Sequence, residues 1–180
     1  MGLTGAILSG GESSRMGTDK GLIRYKDKYL VEYGIEILKQ LCKQVYIGTK
    51  NIKYEIFNLP LLPDEYPNLG PIGGIYTALK KSKQGCLILP CDMPFLNIKT
   101  VEKLYSNANK NISCVLGSEK NGIRIPVAAY YSENIIPVIE NQISLKNYKL
   151  QDLLDKIDVK VVYPVSEHEL DNINYLSDIN

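Results

Sequence analysis

The sequence predicts an α/β fold, a doubly wound and mainly parallel sheet with helices on both faces, in one domain spanning residues 1–180. Three observations carry this. Apolar runs of strand length alternate with segments of helical periodicity along most of the chain. At 44% hydrophobic and 23% charged residues, 180 residues suffice for one well-filled core. No repeat, low-complexity tract or shift in composition marks a linker.

Taken in order, Gly5-Ala6-Ile7-Leu8 reads as a first buried strand that ends in a loop rich in Gly and Ser. Leu30 to Cys42 places Leu30, Val31, Ile37, Leu38 and Leu41 on one helical face. Gln44 to Gly48 is a second strand. Leu59 to Pro63 is a weaker one, because proline interrupts it. Ile75 to Lys83 is a helix opened by Leu69-Gly70-Pro71-Ile72-Gly73-Gly74, with lysines at its C-terminus that suit the helix dipole. Cys86 to Pro90 is again a buried strand. Val101 to Ala108 follows as a helix, Ile112 to Leu116 and Val127 to Tyr131 as strands, Leu150 to Ile157 as a helix and Val159 to Tyr163 as a late strand. Ser118 to Arg124 breaks the alternation. It reads as a polar connection that leaves the next strand free to run antiparallel.

Composition removes several functional classes. Lys+Arg at 21 against Asp+Glu at 20 leaves a net charge of +1, so no global field recruits nucleic acid or an acidic membrane. Cys42, Cys86, Cys91 and Cys114 form no CxxC pair, and His168 is the one histidine, which argues against a zinc site. The start of the chain has neither the basic residues nor the apolar run of a secretion signal, and no apolar stretch is long enough to span a bilayer. The expectation is a protein of the cytoplasm with reduced thiols.

In such sheets ligands sit at the carboxyl ends of the strands, so the loops after strands are the candidates for chemistry. Leu8 to Lys20 follows the first strand. Gly10 and Gly11 let backbone N–H groups approach a bulky anion, while Arg15 and Lys20 add a planar fork and a point charge. This is a phosphate cradle with neither Walker A nor G-x-G-x-x-G spacing. Pro90-Cys91-Asp92-Met93-Pro94 follows the central strand. Its carboxylate suits either a hard cation beside phosphates or the N-cap of the next helix. The glycines Gly70, Gly73 and Gly74 suit either close helix packing or a nucleotide at the helix start.

The string L-x-G-G-x-S-x-R-M-G-x-D-K-x-L, from Leu8 to Leu22, resembles the opening signature of the molybdenum cofactor guanylyltransferases. These enzymes have the GT-A-like, Rossmann-like nucleotidyltransferase fold. The resemblance implies that Leu8, Ser9, Gly10, Gly11 and Lys20 contact the nucleotide, with Arg15 and Lys20 stabilising charge on the phosphates. It assigns Asp92 to Mg²⁺ through the match of P-C-D-M-P, and Asp64, after Leu62-Pro63, to the guanine nucleotide. Asp171-Asn172-Ile173-Asn174 is similar to the family's N-x-N-T-P segment, which gives Asn172 and Asn174 to the pterin substrate or the metal. Read unaided, Asp64 is a turn former and the asparagines a solvated loop. Departures are Gly48, where family members carry an asparagine with Asn51 the nearest replacement, and Tyr175-Leu176, where Thr-Pro is usual. Asn121 to Pro126 matches the pterin-side segment only loosely.

The implied reaction is transfer of GMP from GTP to the terminal phosphate of molybdopterin, giving the guanine dinucleotide cofactor and pyrophosphate. Contacts with cofactor-assembly proteins and molybdoenzymes would follow from it. The alternatives are a sister transferase, acting with CTP or on a sugar or polyol phosphate, and a nucleotide-binding protein without turnover.

Overall fold

Residues 2–9 and 19–173 are described in a computed structural model of the protein. Strand β1 (Thr4–Leu8) is followed by a 3-10 turn (Lys20–Leu22) and a small hairpin of β2 (Arg24–Tyr25) and β3 (Lys28–Tyr29). Helix α1 (Leu30–Leu41), strand β4 (Gln44–Gly48), a 3-10 helix (Ile52–Phe57), helix α2 (Pro71–Ser82) and strand β5 (Cys86–Pro90) come next. Helix α3 (Ile98–Ser106), β6 (Ser113–Gly117), β7 (Arg124–Tyr131), α4 (Ile136–Ser144), α5 (Leu150–Leu154) and β8 (Val159–Val162) complete the principal elements.

The main sheet has the order β4-β1-β5-β7-β6-β8. β1 pairs in parallel with β4 and β5, and β6 with β8, while β7 runs antiparallel between β5 and β6. The polar connection at Ser118–Arg124 therefore does what its sequence suggests, returning the chain as a hairpin where a crossover helix would be needed for a parallel strand.

Both faces of the sheet are covered, which is why its strands read as apolar runs. Ile7, Ile47, Leu87, Leu89 and Leu116 point to the face carrying α1 and α3. Ala6, Ile88, Val115, Ala129 and Tyr131 point to the face carrying α2, α4 and α5. α1 buries Val31, Ile35 and Leu38 at helical spacing, and Glu32 reaches back to accept from the Tyr29 N–H at 2.7 Å, satisfying a donor at the helix start. α2 starts from Gly70 at φ 69°, a left-handed position suited to glycine, with Pro71 fixing the first helical φ.

Several boundaries differ from the sequence expectation. Leu59 to Pro63 contributes only an isolated parallel bridge, Ile47 to Leu61, because Pro60 and Pro63 have no N–H to extend a ladder. α2 begins at Pro71 rather than Ile75, and α3 runs Ile98–Ser106. α5 stops at Leu154. The hairpin, the Ile52–Phe57 segment and α4 were not expected.

Candidate active site

The carboxyl ends of β1, β4 and β5 open onto a cleft of about 290 Å³. Leu8 and Ser9 line it from β1, Gly48 from β4, and Pro90, Cys91 and Asp92 from β5. Asp19 and Lys20 enter from the turn before the hairpin, Gly70, Pro71 and Gly74 from the start of α2, and Asp64 from the preceding loop. Val127 of β7 and Asn172 close the far side. Leu8, Ser9, Lys20, Asp64, Asp92 and Asn172, all singled out in the sequence, thus meet in one cavity. Gly10, Gly11, Arg15 and Asn174 lie outside the described residues.

The Lys20 ammonium donates to Asp92 Oδ2 at 2.7 Å, joining positions 72 residues apart. Both side chains are mostly covered, 22% and 17% exposed. Asp92 is not a helix cap: Asn97 caps α3 by accepting from the Lys99 N–H at 2.9 Å. That leaves the Asp92 carboxylate turned into the cleft. Its backbone carbonyl accepts from the Ile173 N–H at 3.0 Å, so the segment bearing Asn172 braces the Asp92 loop. A second brace is Glu169, only 6% exposed, whose carboxylate accepts from the backbone N–H groups of Asn97, Val165 and Ser166.

Neighbouring Cys91 is buried, and burial with the adjacent Asp92 charge pushes its thiol up to about 12. It stays protonated at neutral pH and offers no nucleophile. Burial also raises the Asp64 carboxyl from its ordinary value.

Asp64 can sit here because Gly73 and Gly74 in the first turn of α2 carry no side chain. A Cβ at Gly74 would meet Leu8 Cδ2 at 2.9 Å and Asp64 Oδ1 at 3.4 Å, and one at Gly73 would meet the Tyr66 carbonyl oxygen at 2.9 Å. The two uses of these glycines open in the sequence divide between them: Gly73 packs against backbone, and Gly74 faces the cleft. Thr77 ties the same loop to the helix, its hydroxyl accepting from the Glu65 N–H and donating to the Gly73 carbonyl, both at 2.9 Å.

Asn51 does not take the place left open by Gly48. Its amide donates to Asp19 Oδ2 at 3.0 Å, and its Oδ1 accepts from the Lys53 N–H at 3.1 Å. Arg124, on the loosely matched segment, pairs with Asp155 at 2.6 Å and does not line the cleft. Sequence reasoning gave no role to Asp19, which lines the cleft and binds Asn51 and Tyr54; its sequence signal is its fixed place directly before Lys20 in the signature from Leu8 to Leu22.

A cleft with a lysine–aspartate pair, a glycine-started helix and a carboxylate beside it can hold a polyanion and a divalent cation. Among the described residues no group of three or more His, Cys, Asp or Glu could hold a metal on its own. No helix among them is long and apolar enough to cross a membrane.

Residues 5–161 match the family description "MobA-like NTP transferase domain". A Flavobacterium johnsoniae protein named "Probable molybdenum cofactor guanylyltransferase" is 32% identical over 182 aligned residues, covering 99% of this chain and 95% of that one. A crystal structure of an Aquifex aeolicus protein superimposes with a TM-score of 0.81 at 30% identity, covering 96% of this chain and 93% of the other. The molybdopterin-guanine dinucleotide biosynthesis protein A of Archaeoglobus fulgidus shares the fold with a TM-score of 0.78 at 22% identity, covering 98% and 95%.

Proposed function

The chain belongs to the family of MobA-like NTP transferase domains, and we propose that its cleft transfers GMP from GTP to the terminal phosphate of molybdopterin. The observation that carries this reading is the convergence of Lys20 and Asp92 at 2.7 Å beside Asp64, at the carboxyl ends of β1 and β5.

An oxygen of the acceptor phosphate attacks the α-phosphorus of GTP in line. The bond from that phosphorus to the bridging oxygen breaks, and pyrophosphate departs with its electron pair. The acceptor is ionised near pH 7, so no general base is required. Such transfers ask a protein mainly for positioning and neutralisation of charge.

In this reading the Lys20 ammonium turns from Asp92 to the phosphates and stabilises the charge that builds on the leaving pyrophosphate. Gly10, Gly11 and Arg15 complete the phosphate cradle. Leu8 and Gly74 give the base a smooth apolar wall, and the Asp64 carboxylate accepts hydrogen bonds from guanine N–H groups. Asn172, and with it Asn174, serves the acceptor side.

The residues present fit Mg²⁺. This ion is commonly held by one or two carboxylates, with substrate phosphates and water completing its shell, and Asp92 is a carboxylate at the right end of the sheet. When bound, Mg²⁺ neutralises phosphate charge.

Calorimetric titration with GTP and with CTP in Mg²⁺, using Asp92→Ala as control, tests the site. GTP binding that needs Mg²⁺ and weakens in the variant is expected. Preference for CTP moves the protein to a cytidylyl reaction, and failure to bind either nucleotide refutes the reading. Pyrophosphate release on adding molybdopterin then tests the acceptor.

A further inference from the structure

We infer that Asn51 and Tyr54 are positioning residues for Lys20, acting through an Asp19 carboxylate that serves as a structural acceptor and not as a ligand for metal or substrate. This rests on the proposed role of Lys20 in nucleotidyl transfer.

Both oxygens of Asp19 are taken by the protein. Oδ1 accepts from the Tyr54 hydroxyl and from the Gly21 N–H at 3.3 Å, and Oδ2 accepts from Asn51 Nδ2 at 3.0 Å. The bond from Gly21 makes Asp19 the N-cap of the 3-10 turn whose first residue is Lys20. The partners are rigid in their turn. Asn51 cannot rotate its amide, because its Oδ1 accepts from the Lys53 N–H at 3.1 Å while its own N–H donates to Thr49 Oγ1 at 3.2 Å. Tyr54 is fully buried, with its ring against Phe57 at 5.9 Å between centroids. Its hydroxyl occupies the space a Cβ at Gly21 would need, which explains the glycine there.

The consequence reaches across the cleft. A lysine has several rotatable bonds, so the place of its ammonium depends on where its backbone is pinned. Misplacing a reacting group by about 1 Å can cost about 10²-fold in rate. Asp19 pins that backbone beside a side chain that spans to Asp92. Three donors converging on two acceptor oxygens also explain why a carboxylate, rather than an amide, precedes Lys20.

The same bonds can be kept with the charge moved. In the double variant Asp19→Asn/Asn51→Asp, the new amide at position 19 accepts from Tyr54 and Gly21 through its oxygen and donates to the new carboxylate at position 51. That carboxylate still accepts from Lys53. Each single variant breaks the pattern, setting donor against donor or carboxylate against carboxylate.

The test is steady-state GMP transfer with Mg²⁺, GTP and molybdopterin on all three variants, with their thermal transitions. The expected result is a fall in kcat of at least about tenfold in each single variant, exceeding any rise in KM for GTP, and recovery to within about threefold of wild type in the double variant. A double variant as slow as Asp19→Asn means that the carboxylate itself touches metal or substrate, and overturns the inference. So do single variants that melt earlier yet turn over normally, the mark of a merely structural tie. If a single variant does not fold, Tyr54→Phe decides. It keeps the ring, loses one donor to Asp19, and is expected to lower kcat about threefold to tenfold; an unchanged kcat overturns the inference. Wild-type protein that transfers no GMP refutes the nucleotidyl-transfer reading instead, which separates the two failures.

Discussion

Replacing Asp92 by alanine separates chemistry from stability. The Lys20–Asp92 contact at 2.7 Å has a gross attraction of ~6 kcal/mol at an effective dielectric of ~20. Most of that is offset by desolvation and by ordering two side chains. With exposures of 22% and 17% the pair lies between a surface bridge and a buried one, and a net ~1–2 kcal/mol is reasonable. Unfolding entropy for a chain of 180 residues is ~0.4 kcal/mol per kelvin, so the loss lowers Tm by ~3–5 °C. The bond from Ile173 to the Asp92 carbonyl is a backbone bond and survives the change. Turnover should fall much further, by at least ~10²-fold, or ~2.7 kcal/mol of transition-state stabilisation. Differential scanning fluorimetry beside a pyrophosphate-release assay reads both numbers. Near-normal turnover would refute the role given to Asp92. A melting shift well beyond 5 °C (~2 kcal/mol) would show that the loop depends on the pair for its fold.

Asp64→Asn should lower GTP affinity about tenfold, the scale of one charge-assisted hydrogen bond, while Tm at pH 7 stays level or rises. The sign follows from burial: a carboxyl raised above its unfolded value makes the ionised folded state less stable as pH rises through that interval, and the amide escapes this cost. In the wild type, acidification through the raised value should weaken GTP binding, whereas in the variant calorimetry should show a flat response there. Gly74→Ala should weaken GTP binding severalfold with the fold intact, because the methyl displaces Leu8 and crowds Asp64 in the cleft; unchanged affinity would take this wall out of the site. Glu169→Ala strips three backbone N–H groups of their acceptor and should cost about 3 kcal/mol, near 8 °C in Tm, with slower transfer from a loosened Asp92 loop. A Tm within 2 °C (under ~1 kcal/mol) of wild type would contradict the bracing role.

Legibility in the sequence followed the physics of each element. β4 and β5 are covered on both faces, so continuous apolar runs revealed them to the residue, and β1 to within one. The Lys20–Asp92 meeting could be anticipated because both follow strands that end on one side of the sheet. The β2–β3 hairpin has only two residues in each strand and its turn uses Lys26 at φ 54°, so neither period nor glycine announces it. In α4, Pro137 at the first turn masks a helix that buries little beyond Ile139 and Gln142. The tie among Asp19, Asn51 and Tyr54 joins side chains more than thirty positions apart through hydrogen bonds, which leave no periodic trace.

The register of β1 against β5 also sets when a site can exist during folding. Thr4 pairs with Cys86 and Leu8 with Pro90, so Lys20 meets Asp92 only once strands 82 positions apart (4 to 86) have closed on one another. Closure of so long a segment is entropically late, and no partly folded chain lacking it has a complete cleft. A ligand of this cleft therefore distinguishes the native state from everything else. Its binding energy adds to global stability in full, about 2.7 kcal/mol when present at 100 times its Kd. In hydrogen exchange, that increment should appear undiminished at the amides of the two central strands and be absent from the hairpin at Arg24–Tyr29, which can open without parting them.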